Sequence, residues 1–332
     1  MRRVLCRLSP NLALVKYWGK RPRGLNLPAT PSLGLALGGL ETVTVGSLRD
    51  AGEDRLEVDG APQTGSRIEA FFDSARALLG TERRFELRSR SSFPASAGLA
   101  SSSSGFAALA LVLARLLGAD GDEDLVAELA RRGSASAARA LVGGFCWFPA
   151  GARRAGALCP PEHWPDLRVL AALVTRSPKL RSSRDAMADT AATSPYYRGW
   201  VRDASRLAPE ARQACLARDL EGLGRAMRLS YSRMHAALLA ADPPRCYWLP
   251  ETLALIAVCA DLRAAGVEAF ETIDAGPQVK VLCREGDLPR IRAALEMAVP
   301  RAEFLVASPG AGPRLLELSE HEPDPLAAGE LR

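Results

Sequence analysis

The chain has 332 residues, 43 Lys and Arg against 38 Asp and Glu, a net charge of +5 and 48% hydrophobic residues. A chain this long, ordinary in charge and rich in apolar residues, excludes a disordered protein and suits one large or two moderate domains. The mild positive balance permits an anionic substrate, but the arginines are mixed with acids throughout, so no basic stripe for nucleic acid is expected.

In chain order, residues 41–48 alternate like a strand, and 54–58 follow as the expected hairpin partner. Residues 66–79 have the period of an amphipathic helix, and 84–90 alternate again. A Pro/Ser/Gly loop over 91–104 feeds an apolar run from Phe106 to Leu117. A short helix over 122–132 is expected to end on Gly133 as a C-cap, with another starting within 134–142. Residues 167–175 read as a buried strand. Helices follow over 184–192, 196–207, 209–216, 219–240 and 250–265. Strands near 268–273 and 278–283, a helix over 287–298 and a strand over 303–307 close the pattern. The tail after Leu318, with Pro323 and Pro325, is expected to be loose. A boundary near 180 divides the chain into 1–180 and 181–332.

No window approaches 18 apolar residues, so neither a membrane span nor a signal peptide is expected. The seven cysteines are dispersed and form no CxxC pair, which disfavours a zinc site and fits reduced thiols in a cytoplasm. The basic residues include four lysines, Lys16, Lys20, Lys179 and Lys280. Two of them stand four apart in Lys16-Tyr17-Trp18-Gly19-Lys20. An ammonium is a compact charge that the planar fork of arginine does not replace.

Four segments carry chemistry. In Phe93-Pro94-Ala95-Ser96-Ala97-Gly98-Leu99-Ala100-Ser101-Ser102-Ser103-Ser104-Gly105, small residues let backbone N–H groups approach an anion. A helix starting in the serine run aims its positive end there, and the hydroxyls add donors for phosphate oxygens or a magnesium shell. A flexible linker fits less well, because this Pro-bounded loop sits between a strand and a strongly apolar helix. In Gly133-Ser134-Ala135-Ser136-Ala137-Ala138-Arg139, hydroxyls and a guanidinium share one helical face, suited to an anion. Taken alone, this reads more simply as an N-cap serine and a surface arginine. Asp274 in Glu271-Thr272-Ile273-Asp274-Ala275-Gly276-Pro277 sits at a strand end on a tight turn, as a general base, a magnesium ligand or, more simply, a turn cap. Tyr17 and Trp18 read equally as an exposed binding edge or as core aromatics.

In this order the segments resemble the diphosphomevalonate decarboxylase family of the GHMP kinase superfamily, over nearly the whole chain. The matching stretches are Asn11 to Lys20, Pro94 to Ser104, Gly133 to Arg139, Ser182-Ser183-Arg184-Asp185-Ala186-Met187, Arg233 to Ala236, and Asp274 to Pro277. The resemblance implies an α+β fold: an amino-terminal domain like the second domain of ribosomal protein S5, then a GHMP carboxy-terminal α/β domain. It implies ATP-dependent decarboxylation of mevalonate 5-diphosphate to isopentenyl diphosphate, with ATP and Mg2+ as cofactors.

Asp274 would face the substrate's 3-hydroxyl and help remove or orient its proton, Arg139 would hold its carboxylate, and Lys16 would support Asp274 and the phosphoryl group electrostatically. Tyr17, Lys20, Ser134, Ser136, Ser183 and Arg184 would grip the diphosphate end, with Met187 beside them. The loop from Pro94 through Ser96, Ala97, Gly98, Leu99, Ala100, Ser101, Ser102 and Ser103 to Ser104 would cradle the ATP phosphates; no direct carboxylate ligand to metal is expected. A homodimer and a cytoplasmic location follow from the resemblance and the missing targeting signal, with no nucleic-acid or membrane partner. Ala29-Thr30-Pro31-Ser32 departs from the family's small residue, Asn and serines; Ala135, Ala138 and Gln278 are further departures. The competing readings are decarboxylation of mevalonate 5-phosphate, a 3-kinase acting without decarboxylation, and a catalytically dead nucleotide-binding scaffold.

Overall fold

The computed structural model describes residues 2–21, 26–94, 98–99, 101–177, 182–319, 322–323 and 325–326. The first half contains β1 (Arg3–Leu8), β2 (Asn11–Val15), β3 (Ser32–Gly38), β4 (Thr42–Arg49), β5 (Arg55–Val58), β6 (Ala61–Pro62), α1 (Ser66–Leu79), β7 (Arg84–Ser91), α2 (Ser101–Leu116), α3 (Glu123–Gly133), α4 (Ala137–Ala140), β8 (Phe145–Phe148) and β9 (Gly156–Cys159). The second contains β10 (Leu167–Leu173), α5 (Ser183–Thr193), α6 (Tyr197–Ala217), α7 (Leu220–Leu239), α8 (Pro250–Ala264), β11 (Phe270–Ile273), β12 (Val279–Arg284), α9 (Leu288–Ala298), β13 (Glu303–Pro309) and β14 (Arg314–Leu318).

Among the described residues the strands form two sheets. One has the order β14-β1-β4-β7-β5-β6; the other runs β11-β12-β10-β13-β3-β8-β9, with β2 beside β3. The first sheet alternates along its strands. Val4, Cys6, Leu48, Phe85 and Leu87 turn inward against Phe71, Phe106 and Leu109 from α1 and α2. Helix α2 is apolar almost all round because it is enclosed by this sheet, α3 and α4. The second sheet is covered on both faces near β10 and β12. Val169, Ala171 and Leu282 join a core with Met227 and Ala211 of the α6–α7 pair, whereas Leu170, Val279 and Val281 face α8 and α9. This sheet carries strands from both sides of position 180.

Several expectations need correction. Strand β5 is not the hairpin partner of β4: it pairs with β7 in parallel, while β7 is antiparallel to β4 over eight residues. Helix α1 supplies the crossover that a parallel pair needs, and β7 inserts between the two strands. Gly133 closes α3 without a left-handed cap; the cap is Ser134 in an extended conformation. Its small size serves packing, since a Cβ there would lie 2.0 Å from the Phe106 ring. The helix expected within 134–142 shrinks to one turn, Ala137–Ala140. The two helices expected at 196–207 and 209–216 are one, with Pro209 inside α6. Leu207, Ala208 and Ala211 are buried there, and this packing outweighs the hydrogen bond the proline removes. Among the described residues of the tail, Leu326 is 6% exposed and packs on Leu5, Val43 and Val45.

Candidate active site

The site forms where β2, α2, α4, α5 and β11 present their ends to one cleft of about 420 Å³. Strand β2 ends at Val15 and hands on Lys16, which is 1% exposed. The Lys16 amide donates to Ser230 Oγ on α7 at 2.9 Å, and its ammonium donates to the Ala13 carbonyl at 2.9 Å and to Asp274 Oδ1 at 2.6 Å. Strand β11 ends at Ile273, so Asp274 opens the following turn, closed by Gly276 N–H donating to the Asp274 carbonyl at 2.8 Å. The carboxylate's other oxygen, Oδ2, faces the Lys280 ammonium at 3.2 Å.

Arg139 leaves the single turn α4 and is 3% exposed. Its Nε donates to Asn11 Oδ1 at 3.2 Å and its Nη1 to Ser32 Oγ at 3.3 Å, while the guanidinium lies 6.0 Å from the Tyr17 ring centre. The side chain is thereby fixed in direction with donors to spare for an anion. Ser103 and Ser136 hydrogen-bond through their hydroxyls, and Ser134 Oγ lies 3.2 Å from Ser136 Oγ. Helix α2 begins at Ser101 and has no acid in its first turn, so its amino terminus is left to an anion.

The opposite end of the cleft is basic. Arg67 and Arg184 both donate to the Gly133 carbonyl, at 2.9 and 3.2 Å, and Lys20 donates to Asn26 Oδ1 at 2.8 Å. Burial lowers the Lys20 ammonium to about 8, helped by the charges of Arg184 and Arg67. Burial likewise lowers Lys16 to about 8, against the attraction of Asp274. For Asp274 burial alone would raise the carboxyl, but Lys16 and Lys280 outweigh it and hold the group below the usual carboxylate range. Burial, with the Lys16 charge, pushes His235 down to about 4, so this imidazole is neutral. Burial raises the Tyr17 phenol, which keeps its proton as a donor.

Of the residues singled out in the sequence, the cleft gathers Lys16, Tyr17, Lys20, Ser134, Ser136, Arg139, Ser183, Arg184, Met187 and Asp274, with Gly98 and Ser101 to Ser103. Pro94, Leu99 and Ser104 do not line it. Leu99 is core, and Ser104 is buried, accepting from Thr42 and donating to the Ser101 carbonyl. Ser96, Ala97 and Ala100 lie outside the described residues. Tyr17 and Trp18 are buried aromatics, 8% and 2% exposed, and both also line the cleft. Two lining or bordering cations were not singled out. Arg67 is one arginine among many, with no local signal; Lys280 was marked by the rarity of lysine alone. Among the described residues no three His, Cys, Asp or Glu side chains gather as a metal cage.

Comparison with known proteins supplies the family. The model of a diphosphomevalonate decarboxylase-like N-terminal domain matches residues 9–159, and that of a mevalonate 5-diphosphate decarboxylase C-terminal domain matches residues 169–315. A diphosphomevalonate decarboxylase of Bos taurus is 32% identical over 326 residues, covering 90% of this chain and 80% of the relative. The solved structure of MDDEF in complex with MVAPP, AMPPCP and magnesium superposes with a TM-score of 0.89 at 32% identity, covering 96% of this chain and 99% of that one. Mevalonate diphosphate decarboxylase from Staphylococcus aureus gives a TM-score of 0.88 at 28% identity, covering 95% and 98%.

Proposed function

The chain belongs to the diphosphomevalonate decarboxylase family, and on that premise we propose how its own side chains carry the reaction. Its fold is the mixed α+β GHMP kinase fold. Its reaction is the ATP-dependent conversion of mevalonate 5-diphosphate to isopentenyl diphosphate, with ADP, phosphate and CO2 as the other products.

The substrate's diphosphate sits at the basic end, against Lys20, Arg67 and Arg184, with the hydroxyls of Ser134, Ser136 and Ser183 and the Tyr17 phenol as further donors. Three cations suit a diphosphate better than a monophosphate. The carboxylate lies on Arg139, whose guanidinium is pre-aimed by Asn11 and Ser32. The 3-hydroxyl donates to Asp274. Because Asp274 stays ionised and weakly basic, its part is to orient the hydroxyl and receive its proton late, as the bond to phosphorus forms. Lys16 keeps that carboxylate charged and neutralises the phosphoryl group. The new phosphate ester at a tertiary carbon is a leaving group. As its C–O bond breaks, positive charge grows at C3, and the electrons of the carboxylate's C–C bond form the double bond as CO2 departs. Arg139 orients that bond and releases its charge partner at the same step.

The amino terminus of α2 takes the phosphates of ATP. Gly98, at φ +63°, presses its backbone so close that an added Cβ would lie 3.1 Å from Gln278 Cγ and 3.1 Å from Lys280 Nζ. The Ser101 and Ser102 hydroxyls fit Mg2+, a hard ion that shares oxygen ligands with phosphate, and the bound ion would neutralise phosphate charge there. The observation that carries this reading is the 2.6 Å contact of buried Lys16 with Asp274 in a cleft rimmed by cations. Asp274→Ala tests it: ADP and CO2 release should both fall on the order of 10³-fold or more, while binding of a non-hydrolysable ATP analogue is retained. Full turnover in that variant would refute the assignment.

We also propose a homodimer, from the family resemblance, and a cytoplasmic enzyme. The latter is supported by free cysteines, of which Cys246 is exposed and the others buried. No helix among the described residues is long and apolar enough to cross a membrane. The division near residue 180 is a proposal about chain order, since the second sheet takes strands from both sides of it.

A further inference from the structure

Lys280 has no place in the roles above, yet it is 1% exposed beside the reacting groups. It is the second residue of β12, opposite Thr272 of β11 and Ala171 of β10. Its neighbours Val279 and Val281 face the core under α8 and α9, so strand alternation turns Lys280 to the opposite side. There its ammonium stands 3.2 Å from Asp274 Oδ2 and 3.4 Å from the Gln278 carbonyl. It also meets the phosphate loop, where a Cβ added to Gly98 would come within 3.1 Å of Nζ. One carboxylate thus serves two buried ammonium groups. Burying a charge is expensive unless it is paired, so this arrangement calls for a further anion.

We propose that Lys280 is a positioning residue of the phosphoryl-transfer step: it clamps the second oxygen of Asp274 and carries positive charge to Gly98, where the transferred phosphoryl group passes. The proposal rests on the reading of the cleft given above. A carboxylate gripped at both oxygens does not swing about its last torsion, so the acceptor offered to the 3-hydroxyl keeps one direction. The excess ammonium charge is balanced when the phosphate oxygens arrive, so the clamp favours the loaded site over the empty one.

The groups facing Asp274 are Lys16 after β2, Lys280 on β12, His235 on α7 and Arg139 on α4. Removing the Lys280 charge therefore raises both Asp274 and Lys16, since Lys280 depresses each of them. The test compares wild type, Lys280→Met and Lys280→Gln in the full chain, with folding checked by thermal unfolding. For each, kcat and KM for mevalonate 5-diphosphate and ATP are measured across the pH range. Both variants should lose kcat on the order of 10²-fold, with KM for mevalonate 5-diphosphate changed by less than about threefold. Both limbs of the kcat profile should move to higher pH. Gln keeps a donor without the charge, so it should be as slow as Met. A folded variant with near wild-type kcat, or one whose loss lies wholly in KM, overturns the proposal. Should neither variant fold, Lys280→Arg decides, since it keeps the charge but not the compact ammonium that reaches Asp274 Oδ2: a folded Arg variant slowed about tenfold or more in kcat supports the clamp, and one with the wild-type kcat and pH profile overturns it. Wild-type turnover of mevalonate 5-diphosphate in the same assay separates a failure of this proposal from a failure of the functional reading.

Discussion

In the mechanism proposed above, Asp274 and Lys16 set the pH behaviour of the site. Lys16 acts as its ammonium form and is lowered to about 8, so kcat/KM should be level around neutrality and fall as pH rises through about 8. Asp274 acts as its anion and is held below the usual range, so no acid limb should appear near the ordinary carboxylate value. A profile rising from neutrality to pH above 9 (a region where an ordinary lysine is still charged) would contradict the assignment of Lys16. Lys16→Met should cost on the order of 10²-fold in kcat or more, because it removes a buried charge at the point of phosphoryl transfer. Much of this site was legible in the sequence because its charged residues stand in short motifs: Lys16 beside Tyr17, Arg139 after two serines, Asp274 before Ala-Gly-Pro. Arg67 and Lys280 were not, since each reaches the site through tertiary placement, one from a surface helix and one from a buried strand. Pro31 departs from the family's pattern. The structure keeps Ser32, its neighbour, on Arg139 at 3.3 Å.

At the scale of elements, packing decides what local pattern leaves open. Gly133 looked like a helix stop, but what the fold asks of it is room for Phe106, on whose ring Arg67 stacks at 4.7 Å. Gly133→Ala should destabilise the protein by about 1–3 kcal/mol, read in thermal unfolding, and should raise KM for the substrate by displacing Arg67. Glu271 of β11 is fully buried. It accepts from Arg228 Nε at 2.8 Å, from Tyr231 at 3.0 Å and from Arg263 of α8. Glu271→Ala strands two guanidinium groups and should cost about 3 kcal/mol in denaturant unfolding. A loss near zero would mean that α7 and α8 are held to β11 by their apolar contacts alone. The helices over 66–79 and 219–240 were legible from their periodicity. Strands β2 and β3 were not, because both are buried along nearly their whole length, so neither alternates, and β3 carries small residues such as Gly34 and Ala36. The position of β5 was also hidden, since pairing across a crossover leaves no mark in a single stretch of sequence.

Across the whole molecule, two sheets and their helices bring a basic end, the Asp274 carboxylate with its paired ammonium groups, and the α2 amino terminus to one cleft. This polarity predicts a division of labour. Arg184→Ala should raise KM for mevalonate 5-diphosphate on the order of 10-fold or more with kcat nearly kept, whereas Asp274 variants lose kcat. An equal loss of kcat in both would contradict the separation. The measurement that bears most directly on the account supplies mevalonate, its 5-phosphate and its 5-diphosphate, each with a labelled carboxyl carbon, to the purified protein with ATP and Mg2+. Released ADP and CO2 are counted together. The account predicts equal ADP and CO2 from the diphosphate and little from the other two. ADP without CO2, or equal release from the monophosphate with none from the diphosphate, would contradict it.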